Sequence, residues 1–131
     1  MDKNLLFETI EQRADALFRL SDAIWDFAET AFAEYRSAEA LAGFLRREGF
    51  DVEMPAYGVE TAVVARYGAG RPCIGLLGEF DALANLAQDA GTAVKQSAHP
   101  GGNGHGCGHN LLGVGSLAAA LAVKRWLEET G

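Results

Sequence analysis

The residues best suited to chemistry lie in one glycine-rich run, GGNGHGCGHN, at positions 101–110. His105, Cys107 and His109 alternate there with glycines, so their side chains have no bulky neighbours and can converge on one ion. Cysteine thiolate and histidine imidazole are the ligands that zinc favours, and the soft sulfur also admits other transition metals. Since Cys107 and His109 supply two ligands and zinc needs about four, or three with water, the run indicates an incomplete metal site.

Two other interpretations of this run remain open. It could be a flexible glycine loop with incidental His and Cys, although three such residues at alternate positions are unusual for a loop. It could also hold a phosphate, because a glycine-rich loop here precedes a helix N-terminus. Neither phosphate-binding pattern, G-x-G-x-x-G or G-x-x-x-x-G-K-[ST], fits residues 101–115, which disfavours a nucleotide site.

Two carboxylates, Glu79 and Asp81, end an apolar run in the sequence GEFDAL. In open α/β sheets, ligands bind at the carboxyl edge of the strands. A carboxylate at that edge can bind a metal or hold a metal-binding histidine in one tautomer. Acids at a strand end can also be merely solvated, and this interpretation is more plausible for Glu79 than for Asp81.

Composition excludes several classes of protein. The 131 residues include 49% hydrophobic and 22% charged residues, which is typical of one globular domain. The net charge of -7 disfavours nucleic acids and anionic membranes as partners. Two cysteines are too few for a disulfide scaffold, and no transmembrane segment or secretory signal is recognisable. We expect a cytoplasmic protein.

Periodicity predicts the elements that must position these residues. Apolar residues at helical spacing predict helices over 4–27, 35–48 and 111–129, with Gly49 as a left-handed C-cap and Asn110 as an N-cap. Strands are predicted over 51–54, 61–67 and 73–80, the last covered on both faces because its apolar residues do not alternate.

The predicted order of elements favours an α/β fold with helices packed on a mixed or parallel sheet. Residues 82–108 lack periodicity and are predicted to form a long loop, and such loops are often functional. Gly113 and Gly115 are expected to let the last helix approach the sheet closely. A further strand is expected after Gly131, so the sheet is predicted to be an incomplete part of a domain.

EFDAL closing a strand and GHGCGHNLLG opening a helix resemble the metal-binding core of the zinc-dependent amidohydrolase and metallopeptidase family, which includes aminoacylases, hippurate hydrolases and auxin-conjugate hydrolases. The resemblance extends over the whole chain, because ETAFAEYRSAEALAGFLRREGFDV is similar to the helix, turn, helix and strand with which the family begins. Within the family, the chain is most similar to the branch that acts on aminobenzoyl-glutamate.

The resemblance implies a role for each matching residue. Cys107 and His109 would bind a divalent metal, Zn or Mn, while His105 would lie near it without being a firm ligand. Asp81 matches the strand-end acid and would orient a metal-binding residue. Many relatives have Asp after the second histidine of the motif, and Asn110 at this position removes one carboxylate.

The resemblance also implies an activity, which is metal-dependent hydrolysis of the amide bond of N-acyl or N-aroyl amino acids such as p-aminobenzoyl-glutamate. Family enzymes are several hundred residues long, so residues 1–131 would be the N-terminal part of the catalytic domain. The glutamate general base, further ligands and the lid or dimerisation domain would then lie beyond Gly131, and we expect the chain alone to be inactive. Expected partners are the small substrate and a homologous A-type subunit or a second copy. The alternative is a non-catalytic metal-binding or subunit-interaction module.

Overall fold

A computed structural model describes residues 3–130. These residues form four helices and two short strands. In chain order, they are α1 (Lys3–Glu11), α2 (Ala14–Phe27), α3 (Tyr35–Arg47), β1 (Asp51–Glu53), β2 (Val64–Arg66) and α4 (His109–Thr130). The α/β class is therefore confirmed, although the sheet is smaller than the sequence predicts.

The predicted helix over 4–27 is two helices, α1 and α2, with a break at Gln12 and Arg13. The Arg13 amide donates to the carbonyl of Ile10 rather than to a residue four positions back. The Arg13 guanidinium pairs with the Glu48 carboxylate just after α3, with an Nε–Oε1 distance of 3.0 Å. The prediction was wrong here because apolar spacing marks a buried face but does not detect an interruption that keeps the face aligned.

The core lies where α2, α3 and α4 pack together. Ile24 of α2 is completely buried, and the apolar face of each helix contributes to the same cluster. The other buried members are Leu17, Leu20, Leu41, Phe44, Leu45, Val114, Leu117 and Leu121. Burial of a large aliphatic side chain contributes about 1.5–3 kcal/mol, so this cluster is the main source of stability.

Side-chain and backbone caps fix both ends of α3. The Glu29 carboxylate accepts hydrogen bonds from the backbone amides of Arg36 and Ser37, at 3.0 and 2.8 Å, in the first turn. At the other end, Gly49 has a φ of +82°. Its amide donates to Arg46 and the next amide donates to Leu45, which is a Schellman motif and confirms the predicted C-cap.

The sheet has two antiparallel strands in the part of the chain from residue 3 to residue 130. Val52 of β1 pairs with Ala65 of β2, flanked by the pairs Asp51↔Arg66 and Glu53↔Val64. The mixed or parallel sheet predicted from the sequence is thus wrong for these residues. The first predicted strand is confirmed to within one residue, whereas only the centre of the predicted strand over 61–67 is paired.

The predicted third strand, residues 73–80, is not a strand in this structure. Ile74 and Leu77 are 75% and 86% exposed, so the segment is not covered on both faces. The segment contacts α4, in which the Ser116 hydroxyl donates a hydrogen bond to the carbonyl of Leu77 at 2.7 Å. An uninterrupted apolar run predicts a buried strand only if strands and helices are present to cover it, and residues 3–130 do not supply them.

Helix α4 begins at His109, two residues earlier than predicted. Asn110 is therefore inside the helix and is not its N-cap, so that prediction was wrong. Its Nδ2 donates to the Ser21 hydroxyl of α2 at 3.0 Å, in the buried interface between the two helices. Before α4, the loop over 82–108 contains neither helix nor strand, as predicted.

Hydropathy also bears on where the helices can lie. Among the residues that are described, no helix is both long enough and apolar enough to cross a membrane.

Candidate metal centre

Two short backbone pairings place Asp81 beside the glycine-rich run. The Ala82 amide donates to the carbonyl of Glu29 at 2.7 Å, which fixes the end of the apolar segment against the turn before α3. Leu83 and Gly104 then exchange two backbone hydrogen bonds, of 2.9 and 3.0 Å. These contacts bring the carboxyl end of residues 73–80 next to the loop that leads into α4.

Helix α4 approaches the same segment closely because position 113 is glycine. A Cβ at Gly113 would lie 2.9 Å from the carbonyl oxygen of Glu79 and 3.2 Å from the Cβ of Phe80. The predicted close approach is thus confirmed for Gly113. It is wrong for Gly115, where a Cβ would have no heavy atom within 4 Å.

Glu79, Asp81 and His109 form the candidate metal centre. The Asp81 Oδ1 lies 2.8 Å from His109 Nδ1, and the Glu79 Oε2 lies 3.2 Å from His109 Nε2. One ligand atom from each residue lies within 4.8 Å of the other two. The histidine side chain is 16% exposed, against 22% for Asp81 and 58% for Glu79, so the cluster opens to solvent on the Glu79 side.

The imidazole of His109 faces a carboxylate oxygen at each ring nitrogen. A neutral imidazole carries one N–H, so it can donate to only one of the two carboxylates. If Nδ1–H donates to Asp81, the lone pair of Nε2 faces a carboxylate oxygen at 3.2 Å, and both atoms are acceptors. A proton or another cation shared by Nε2 and Glu79 would make this contact favourable.

His105 lies outside this group of three and anchors the loop to α2. Its Nε2 is 3.0 Å from the carbonyl oxygen of Ile24, and its ring stacks on Trp25 with 6.1 Å between centroids. Burial lowers the pKa of His105 below the usual value for histidine, because the charged ring would lose its hydration. With Nε2–H donating to Ile24, the buried Nδ1 is an acceptor that has no hydrogen-bond partner among residues 3–130.

Cys107 is exposed and does not belong to the group of three. It lies on a tight turn in which the Gly108 amide donates to the carbonyl of His105 at 3.1 Å. The structure therefore brings His109 and Asp81 together, as the sequence indicates, but leaves the thiol and His105 apart from them. Their assignment as metal-binding residues remains a prediction.

Sequence reasoning undervalued Glu79, which it treated as a plausible solvated acid. The feature of the sequence that could have identified Glu79 as a site residue was its spacing of two positions from Asp81. In an extended chain, residues two positions apart point to the same side. This spacing is consistent with the two carboxylates lying at the two ring nitrogens of one histidine.

Comparison with known proteins identifies relatives over almost the entire chain. The chain is 50% identical over 124 residues to the B-type subunit of p-aminobenzoyl-glutamate hydrolase from Escherichia coli, a match that covers 95% of this chain and 26% of the relative. It is 33% identical over 135 residues to the human Xaa-Arg dipeptidase and 32% identical over 136 residues to the mouse protein. Each of these matches covers 92% of this chain.

The chain spans about a quarter of the length of these curated relatives. No family model matches it. All three relatives carry the names of enzymes that cleave an amide or peptide bond, which agrees with the resemblance carried by residues 79–83 and 104–113.

Proposed function

The chain is related over nearly its whole length to the amidohydrolase and metallopeptidase family, and we propose that it forms part of the metal-binding centre of an amide-hydrolysing enzyme. The substrates would be N-acyl or N-aroyl amino acids, with p-aminobenzoyl-glutamate the first to test because of the Escherichia coli relative. Residues 1–131 would then belong to the catalytic domain. The observation that carries the proposal is the convergence of Glu79 and Asp81 on the two ring nitrogens of His109.

The donor set fits a divalent cation. His109 Nε2 and Glu79 Oε2 face each other as acceptors when Nδ1–H is donated to Asp81, and a cation between them would remove that repulsion. Imidazole and carboxylate are ligands for both Zn and Mn. A divalent ion held there would supply Lewis-acid polarisation of an amide carbonyl and would lower the pKa of a water.

The chain's own residues would hold and orient this ion. Asp81 would accept a hydrogen bond from the Nδ1–H of His109, which would fix the tautomer and orient the ring. Glu79 would supply a carboxylate oxygen on the solvent side of the ring. Cys107, two residues before His109, would reach the same ion only if the exposed turn carrying it moved towards the ring.

The general base is not among the residues assigned here, so we propose that this chain does not turn over substrate alone. A homologous A-type subunit is the partner suggested by the name of the bacterial relative, which describes one subunit of a hydrolase. Release of p-aminobenzoate from p-aminobenzoyl-glutamate by the purified chain, abolished by a chelator, would contradict the proposed inactivity but not the metal centre.

The experiment that tests the metal centre is elemental analysis and calorimetric titration with Zn and Mn. We expect near-stoichiometric binding by the wild type and a loss of at least tenfold in affinity for His109→Ala, because the ligand at the centre of the cluster is removed. Asp81→Asn should reduce the affinity by about 10–100-fold, since an amide orients the ring less well than a carboxylate does.

His99→Ala is the matched control, because His99 is an exposed histidine in the preceding loop. It should bind metal as the wild type does. Cys107→Ser determines whether the thiol takes part, since a neutral hydroxyl replaces a soft anionic ligand. Absence of metal binding by the wild type would refute the proposed centre, and equal binding by His109→Ala would place the ion elsewhere.

A second function, a non-catalytic subunit-interaction module, is favoured by a different observation. Residues 73–80 expose a run of large apolar side chains, including Leu77 at 86%. Exposed apolar patches of this kind are typical of interfaces between proteins. This module would not require metal, so the titration above distinguishes the two functions.

A further inference from the structure

Two buried polar side chains fasten the glycine-rich run and the start of α4 to α2. His105 is 6% exposed, and its Nε2 lies 3.0 Å from the carbonyl oxygen of Ile24. Asn110 is 4% exposed, and its Nδ2 donates to the Ser21 hydroxyl at 3.0 Å. Because positions 21 and 24 are three residues apart, both bonds are made to the same face of one helix.

The carbonyl of Ile24 determines which ring nitrogen of His105 carries the proton. A carbonyl oxygen can only accept, so the contact at 3.0 Å requires an N–H at Nε2. Trp25 stacks on the same ring, with 28° between the two ring planes. Helix α2 therefore holds this imidazole in one tautomer and one plane, and its Nε2 has no lone pair to offer to a metal ion.

The glycines between the two anchors make the anchors necessary. Gly106 and Gly108 flank Cys107, and Gly108 has a φ of +75°. Glycine loses more conformational freedom on folding than any other residue, so this stretch does not hold one path by itself. His109 is the first residue of α4, where a helix leaves its amides without partners inside the helix. The position of the His109 ring therefore depends on the residues that fix the chain on either side of it.

We propose that His105 and Asn110 are positioning residues for His109, which lies between them in the sequence, and that they act through the backbone that joins the three. The ring of His109 contacts Asp81, with 2.8 Å between Nδ1 and Oδ1. Loss of either bond to α2 would let the chain shift at this point and would spread the imidazole over several orientations. This role rests on the proposed metal centre, and it makes His105 a residue that acts on the site without touching the ion.

Two amide variants at position 105 separate positioning from metal binding. In His105→Gln the side-chain nitrogen takes the place of Nε2 and can still donate to Ile24. In His105→Asn the side chain is one carbon shorter, so its nitrogen falls short of that carbonyl. Calorimetric titration with Zn should give an affinity within about threefold of the wild type for His105→Gln and a loss of about tenfold or more for His105→Asn. Equal losses would overturn the positioning role, because both variants lack the imidazole.

Ser21→Ala tests the second anchor without changing the loop. It removes the hydroxyl that accepts from Asn110, while alanine favours the helix that carries it. We expect the affinity for Zn to fall by about threefold to tenfold, with a circular dichroism spectrum like that of the wild type. Ser97→Ala is the matched control, since that hydroxyl accepts from the amide of His99 in the preceding loop, and it should bind Zn as the wild type does. Unchanged Zn affinity in Ser21→Ala would overturn the role of Asn110.

Nuclear magnetic resonance gives a measurement that requires no metal. The ring nitrogen signals of His109 are recorded in a chelating buffer at one pH. The wild type and His105→Gln should show one protonated and one unprotonated nitrogen, whereas His105→Asn and Ser21→Ala should show signals averaged between the two forms. Unchanged His109 signals in both of the latter variants would overturn the proposal whether or not the wild type binds Zn. A wild type that does not bind Zn would refute the metal centre, and the signals would still decide whether His105 positions the ring.

Discussion

The core formed by α2, α3 and α4 and the segment over 73–80 are both rich in aliphatic residues, but their surroundings differ. Ile24 in the core has no exposed surface, because three helices of this chain close around it. Leu77 in the segment is 86% exposed, because α4 covers one side and no described strand lies on the other. Burial therefore depends on which neighbours a region has and not on its apolar content alone.

The candidate metal centre lies where these two regions meet. Asp81 and Glu79 come from the end of the exposed segment, while His109 begins the helix that contributes to the core. The well-packed helix thus holds His109, the backbone pairing at Ala82 holds the neighbouring Asp81, and Glu79 is the most exposed of the three. We expect the Glu79 carboxylate to be more easily displaced than the imidazole.

The largest effect should come from removing volume in the core. Ile24→Ala should lower the free energy of unfolding by about 3 kcal/mol, because it leaves a cavity that rigid helices do not fill. Urea denaturation followed by circular dichroism measures this change. Leu77→Ala, which also shortens an aliphatic side chain, should change stability by less than about 0.5 kcal/mol. Equal losses would show that the segment is as well packed as the core.

An intermediate effect is expected where the two regions touch. Gly113→Ala should destabilise the chain by about 1–3 kcal/mol, because the new methyl group would lie 2.9 Å from the carbonyl oxygen of Glu79. Gly115→Ala is the matched control on the same helix. It should raise stability by about 0.5–1 kcal/mol, since its Cβ meets no atom and alanine favours the helix. Thermal unfolding of both variants tests whether the contact with Glu79 is as close as described.

The smallest effect should follow loss of the hydrogen bond that joins the segment to α4. Ser116→Ala removes the donor to the carbonyl of Leu77, and an exposed bond of this kind contributes about 0.5–1 kcal/mol. Thermal unfolding should show a loss of stability of this size, smaller than that of Gly113→Ala. An unchanged unfolding temperature would mean that contacts other than this bond hold the segment.

Helices α2, α3 and α4 could be predicted from the sequence because each buries an apolar face within this chain. α3 agrees with its prediction to within one residue, and Gly49 has the left-handed conformation that its cap requires. The break at Arg13 could not be predicted, since the apolar face continues across it. The strand predicted over 73–80 failed because its covering layers depend on neighbours that a single segment does not encode.

Part of the candidate site was also predictable. The alternation of His and Cys with glycine indicated His109, and the strand-end position indicated Asp81. The place of Glu79 depends on the two pairings that align the segment with the loop, at Ala82 and Leu83, and those are tertiary contacts. For the same reason, the burial of His105 against Ile24 could not be inferred from its neighbours in the sequence.

Glu29 uses different atoms for two connections. Its carboxylate accepts hydrogen bonds from amides in the first turn of α3. Its backbone carbonyl accepts a hydrogen bond from the amide of Ala82, beside the candidate metal centre. A rotation of α3 away from the loops would strain both connections together, so this turn acts as a stiff joint between the helical body and the ligand-bearing loops.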